Sequence, residues 1–309
     1  MLDSGNIKSY LHLHLLVLIW GFTAIVGLMV SISPVVLVLY RTAIAALGLG
    51  VIIWVRKKDL RSVSLRQAVR MLLVGGVLSA HWILFFASAR VSTASVCLAG
   101  MATASLWTSL LEPLVYRRPV KILEVGLGVL AFSGLYLVFR FEFDHALGLA
   151  LALTSAFLAA LFTVANSKMV QSQSAIFITF YEMLGATLFS LVFALLAFQY
   201  HWTVNPSLFP QSGDWIWILF LALICTVYAS TMMTQLMKQF SAYLVNLTIN
   251  LEPVYGITLA FLFFGEKEKM TAGFYLGTGV ILLAVILYPV FNRIQRRRSK
   301  LQSDKELGS

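Results

Sequence analysis

Long apolar runs, separated by short polar stretches, fill the chain almost from end to end. A membrane-spanning helix needs about 20 mostly apolar residues. By that measure the pattern predicts ten spans, near residues 11–30, 34–55, 69–89, 93–116, 120–139, 147–168, 175–198, 215–237, 241–264 and 271–291. The loops between them are short, and none is long enough to fold as a domain. Backbone groups inside a bilayer have no water to bond, so the spans must be helices. The predicted fold class is an all-α integral membrane protein with ten transmembrane helices.

The pattern also repeats. Residues 34–47 read PVVLVLYRTAIAAL and residues 175–188 read AIFITFYEMLGATL, an offset of 141 that pairs Tyr40 with Tyr181 and Arg41 with Glu182. Further along the offset becomes 148, which pairs Arg90 with Lys238 and the start of span 4 with that of span 9. The extra seven residues fall in the loop between spans 7 and 8. Gly126-Leu127-Gly128-Val129 in span 5 matches Gly277-Thr278-Gly279-Val280 in span 10. Generic membrane composition is the competing explanation, but the order and spacing of five consecutive segments favour duplication. The expected organisation is a first five-helix repeat at 11–139, a second at 147–291 and a basic tail at 292–309. Five is odd, so the second repeat enters inverted, which is the plan of many secondary transporters.

Charge adds orientation. The chain is 60% hydrophobic and 12% charged, with a net charge of +10, where a soluble domain carries about 25% charged residues. Eighteen of the positive residues fall on the side of the N-terminus, in the loops between spans 2 and 3 and spans 4 and 5, in the tail, and at Lys8, Lys168 and Lys238. The other side has four: Arg90, Arg140, Lys267 and Lys269. Both termini are therefore expected in the cytoplasm. The basic excess is read as an orientation signal that also suits anionic lipid, not nucleic acid. Span 1 reads as retained, since MLDSGNIKSY has a single Lys and no small-residue cleavage site. Cys97 and Cys225, both inside spans and outside any metal-ligand spacing, read as small apolar residues.

Short motifs then carry a family resemblance. Trp20-Gly21, Ser33-Pro34, Leu251-Glu252-Pro253-Val254 followed by Gly265-Glu266-Lys267, and the Gly-x-Gly of the last span stand in order over residues 11–291. In this the chain resembles the EamA-type members of the drug/metabolite transporter superfamily. The resemblance implies a carrier of the bacterial inner membrane, often an exporter of amino acids or related metabolites. It also implies a central cavity lined by spans other than 5 and 10. One position departs from the pattern: span 4 has Ser105 opposite Pro253 and places Pro113 further on.

Charged groups at membrane depth need a partner or a wet cavity. Arg41 and Glu182 each lie about 10 Å deep, counted at 1.5 Å per residue, so they are expected to meet near the midplane and either touch substrate or fix register. Glu252 stands before Pro253, which frees the carbonyl of Ile249. With Asn246 and Asn250 it makes a broken-helix substrate site or, alternatively, a bonded kink. Glu112 is expected to pair with Arg117 or Arg118. His81, beside Trp82, is either a proton relay or an interhelical hydrogen bond. Trp20, Tyr40 and Tyr181 complete the candidate substrate-binding set as aromatics with a polar handle.

Several classes fall away. There is no H-E-x-x-H, no Walker A motif and no aspartate inside a span. No cofactor or metal is called for. A channel would need a continuous polar face, which no span offers; a channel or a multi-pass membrane enzyme is the alternative class. The expected function is a secondary or facilitative carrier of a small polar metabolite, working by alternating access, with protons a candidate coupling ion. Oligomeric state is not indicated.

Overall fold

The computed structural model describes residues 4–120, 122–141, 143–200, 208–249, 251–268, 270–280, 282–284, 287 and 290–291. These residues are helical, with no strand among them. Eight helical segments are long and apolar enough to cross a membrane: Ile7–Met29, Pro34–Val55, Leu65–Val91, Ala94–Tyr116, Ala146–Met169, Ala175–Gln199, Asp214–Leu236 and Ala242–Phe264. They occupy the predicted positions of spans 1–4 and 6–9. A 20-residue helix, Ile122–Phe141, lies at span 5, and a shorter apolar helix, Ala272–Ala284, lies at span 10. The tail from residue 292 falls outside the described residues.

Helix starts follow local chemistry. Ser33 caps span 2 by accepting from Val36 N, with Pro34 in the first turn, where its missing N–H costs nothing. Ser64 and Gln67 form a reciprocal capping box at the start of span 3. Thr93 caps span 4 by accepting from Val96 N at 3.1 Å.

Three spans are broken. Span 1 consists of Ser4–Gly21 and Thr23–Met29. Span 4 consists of Ala94–Met101 and Ala104–Tyr116, and span 9 of Ala242–Ile249 and Glu252–Phe264. The last two breaks lie 148 residues apart, Met101 to Ile249 and Ala104 to Glu252, the offset expected for a repeat. Proline explains the break in span 9 but not that in span 4. There Thr103 does the work, donating from Oγ1 to Gly100 O at 2.8 Å and from its N–H to the same oxygen at 3.2 Å. Pro113 sits inside the second helix of span 4, away from the break. Span 8 holds a feature with no sequence signature, a π-helix at Phe220–Tyr228. Thr226 Oγ1 donates to Leu221 O and Ser230 Oγ to Cys225 O, each five residues back.

The two halves meet through glycine. A Cβ on Gly75 in span 3 would overlap the backbone carbonyl of Glu182 in span 7, and one on Gly185 would overlap that of Leu72. Gly256 in span 9 likewise faces the Gly21 carbonyl in span 1. Small residues allow such approach where lipid offers no hydrophobic drive. The crossing of spans 3 and 7 is stitched by Ser79 and Ser190 Oγ atoms at 2.6 Å, and Thr187 donates to Thr42 of span 2 at 3.0 Å. The glycines of spans 5 and 10 divide. Gly128 packs tightly on Leu106, whereas Gly126 and Gly279 have no heavy atom within 4 Å of a Cβ position.

The basic face is held by Ser9–Gln239 at 2.9 Å, Tyr116–Ser167 at 2.9 Å, and the ion pair Arg118–Glu112 at 3.2 Å, as expected for Glu112. The Glu112 carboxylate also accepts from Tyr243 N at 3.1 Å. Gly75→Ala and Gly185→Ala are each expected to cost about 1–3 kcal/mol by forcing backbone apart, with Gly126→Ala neutral. Thermal unfolding of the detergent-purified variants measures this, and equal midpoints for all three would contradict the backbone contact.

Candidate functional site

Between the halves lies a cavity of about 90 Å³. One water needs about 10–15 Å³ on that measure, so the space suits a small solute. Its charged groups are Arg41 from span 2 and Glu252 from span 9. Polar lining comes from His81, Thr163, Asn246, Ser230 and Thr234, and the remaining walls are aromatic or thioether, including Trp20, Trp82, Phe162 and Met233.

Arg41 is 2% exposed and held in one pose. Its Nε donates to Thr226 Oγ1 at 2.8 Å, and its guanidinium lies 3.7 Å from the Trp82 ring centroid. Thr226 can accept there because the π-helix turns its own hydroxyl proton onto Leu221 O. A guanidinium stacked on an indole keeps its outer N–H groups in a fixed plane for a carboxylate. Glu252 opens the second helix of span 9, where the helix dipole favours negative charge. It is 7% exposed, has no hydrogen-bond partner among the described residues, and attracts Arg41.

The remaining polar lining is pre-bonded. Asn246 Nδ2 donates to Thr108 Oγ1 at 2.6 Å, and Thr163 Oγ1 donates to Asn246 Oδ1 at 3.2 Å. His81 Nδ1 sits 2.7 Å from Ser155 Oγ, which donates to the His81 carbonyl at 2.9 Å. Trp20 Nε1 donates to Cys225 O at 3.0 Å, taking a carbonyl of the π-helix.

Six of the ten residues picked from the sequence thus share the cavity: Trp20, Arg41, His81, Trp82, Asn246 and Glu252. Tyr40 and Tyr181 lie elsewhere. Tyr40 donates to Leu208 O at 3.2 Å and packs edge-on against Trp215, while Tyr181 packs against Phe180. Asn250 lies outside the described residues. The expected Arg41–Glu182 pair is not formed, since Arg41 faces Thr226, Trp82 and Glu252. Sequence reasoning missed Thr163, Ser230, Thr234, Met233 and Met237. The i, i+4 spacings Ser230–Thr234 and Met233–Met237 mark a face of span 8 and were the available signal.

At the face opposite the basic one, the loop after span 1 is clamped from both halves. Ser31 donates from its N–H and its hydroxyl to Asp214 of span 8, at 2.9 and 2.5 Å. Arg90 of span 3 donates to Gly27 O and Val30 O at 3.1 and 2.8 Å, capping the end of span 1. Lys238, which lies 148 residues after Arg90, is exposed at the basic face.

The family model for EamA-like transporters matches residues 7–140 and 146–288. The chain belongs to the EamA-like transporter family. It is a membrane transporter, with a small-molecule substrate and a lipid bilayer as its surroundings. An uncharacterized transporter of Synechocystis sp. is 26% identical over 291 residues, covering 88% of this chain and 80% of its own. A solved crystal structure, 15% identical, superposes with a TM-score of 0.66 over 90% of this chain and 95% of its own. That likeness shows the fold alone.

In this EamA-like transporter, Thr226→Val keeps the side-chain shape and removes the acceptor that aims Arg41. A hydrogen bond to a charged group contributes about 1.5–3 kcal/mol to stability, so thermal stability should fall by that order, and the freed guanidinium should bind a substrate carboxylate at least tenfold more weakly. Uptake kinetics in vesicles read this as a rise in KM.

Proposed function

We propose that this transporter is a secondary or facilitative carrier of a small zwitterionic metabolite such as an amino acid, working by alternating access in the bacterial inner membrane. The observation that carries the reading is one cavity with an open cation and an open anion, Arg41 and Glu252. Arg41 suits the substrate carboxylate and Glu252 its ammonium group. Their mutual attraction in the free cavity means that a bound zwitterion replaces each charge's partner rather than leaving it bare, which keeps the desolvation cost low. The aromatic and thioether walls suit an apolar side chain.

Alternating access follows from the position of the cavity between two repeats that we take to be inverted. The contacts of Ser31 and Arg90 close one face. The lining residues Met237, Thr163 and Asn246 extend toward the other. Rocking of one half on the other would exchange these states. We assign export as the net direction, with the termini and tail in the cytoplasm.

Uptake of a panel of labelled amino acids into proteoliposomes tests the substrate class. Saturable uptake and counterflow are expected, with Arg41→Lys and Glu252→Gln each lowering affinity at least tenfold, because Lys lacks the planar fork and Gln the charge. Linear flux, or variants that match wild type, would sink the reading. The clamp has its own test. Asp214→Ala should raise labelling of a cysteine placed at Thr23, from outside intact cells with an impermeant maleimide, about tenfold, since charge-assisted bonds contribute about 1.5–3 kcal/mol.

A further inference from the structure

Behind the central cavity lies a second buried polar group that substrate recognition does not use. Glu182 of span 7 is 1% exposed, and its Oε1 has no hydrogen-bond partner among the described residues. Asn166 of span 6 is fully buried, and neither its Oδ1 nor its Nδ2 completes a hydrogen bond there. Asn166 nevertheless lies beside the Glu182 carboxyl, with no completed hydrogen bond between them. Three orphan polar atoms therefore meet at one place inside the helix packing.

The charged and titratable groups on the surrounding spans are all engaged or distant. On span 2, Arg41 is held by Thr226 and Trp82, and Lys58 at its end lies over the Phe177 ring at 5.9 Å. On span 3, Arg66 and Arg70 are exposed at the basic end, and His81 is bonded to Ser155. Lys168 on span 6 and Lys238 at the end of span 8 are exposed. Among the described residues the one ion pair is Arg118–Glu112, so no cation compensates Glu182.

A buried carboxylate without a cation is strongly disfavoured. A carboxylic acid and a primary amide, by contrast, satisfy each other reciprocally: the acid O–H donates to Asn166 Oδ1, and Asn166 Nδ2 donates to the acid carbonyl. That one pairing uses all three orphan atoms. The ligand that this complementarity fits is a proton.

We propose that Glu182 and Asn166 form a proton-binding site, distinct from the substrate cavity, that supplies the carrier's coupling ion. Loading adds one proton to the carboxylate and breaks no bond; unloading returns that proton to water. The link to substrate runs through span 6. Asn166 stands one turn beyond Phe162 and Thr163, which line the cavity, and Thr163 is bonded to Asn246. The carbonyl of Glu182 itself sits on Gly75, at the crossing of the two halves. Loss of the proton leaves a bare carboxylate that favours hydration, and hence loosening of spans 6 and 7 on span 3, which packs against both. Gain of the proton lets them close.

The coupling half of this proposal rests on the carrier reading; the site itself does not, so the test has two arms. In the first, infrared difference spectra of the purified full chain are recorded at neutral pH. A protonated-carboxyl carbonyl band is expected that is lost in Glu182→Gln and moved, with Glu182 intact, in Asn166→Leu. Unchanged spectra in both variants would overturn the site. In the second, vesicles holding a pH-sensitive dye receive an equimolar mixture of the common amino acids. Wild type should move protons with uptake, whereas Glu182→Gln should keep exchange of labelled amino acids and lose at least tenfold of the proton movement. Uptake by wild type without proton movement, or equal movement in Glu182→Gln, would overturn the coupling role. A lost band together with no uptake of any amino acid would overturn the reading of the cavity and leave the proton site standing.

Discussion

Everything in this transporter hangs on two helices that touch backbone to backbone. Spans 3 and 7 cross where Gly75 meets the Glu182 carbonyl and Gly185 meets that of Leu72. In lipid there is no hydrophobic drive to bring helices together, so close packing and polar stitches must do it. The glycines supply the first, and the Ser79–Ser190 and Thr42–Thr187 contacts supply the second. One helix comes from each half of the chain. Beyond the crossing, span 3 lines the cavity with Leu78, His81, Trp82 and Phe85.

Around that cavity the helices are deliberately incomplete. Spans 4 and 9 break at points 148 residues apart, span 4 by the Thr103 hydroxyl and span 9 by proline. Span 8 loosens into a π-helix instead, a form that recurs at functional sites. Each interruption frees backbone groups that membrane depth would otherwise forbid. In span 4 Thr103 takes Gly100 O itself, whereas in span 8 groups from the opposite half enter: Trp20 takes Cys225 O, and Arg41 takes the Thr226 hydroxyl that the π-turn presents. The irregular backbone and the rigid pose of Arg41 are therefore one arrangement.

Much of this was legible in the sequence because bilayer thickness sets span length and burial penalises charge. The positions of spans 1–4 and 6–9 and the places of Glu112 and Glu252 followed from those two rules. What depth cannot tell is azimuth. Arg41 and Glu182 were placed at matching depths, yet successive helix residues turn by about 100°, and the two side chains face different neighbours. The same turn carries Tyr40 and Tyr181 away from the cavity, toward Trp215 and Phe180, although each adjoins a buried charge. The break in span 4 was hidden for another reason: a threonine that bonds its own preceding turn resembles any other membrane threonine until its φ and ψ are known.

The separation of Arg41 from Glu182 has a consequence for how such a carrier can work. Had the two paired, each would have neutralised the other, and the centre of the protein would hold a static bridge. Instead, Arg41 faces Glu252 across open space, and Glu182 is left with an amide. One carboxyl thereby lines the cavity, while the other lies outside its lining. A substrate and an ion bound at one point compete directly. Bound at two points one turn apart along one helix, they influence each other only through the position of that helix. Span 6 has the required character, for it carries Thr163 on one face and Asn166 one turn away. Coupling of that kind needs no contact between the two ligands, only a shared wall whose two placements each suits one of them.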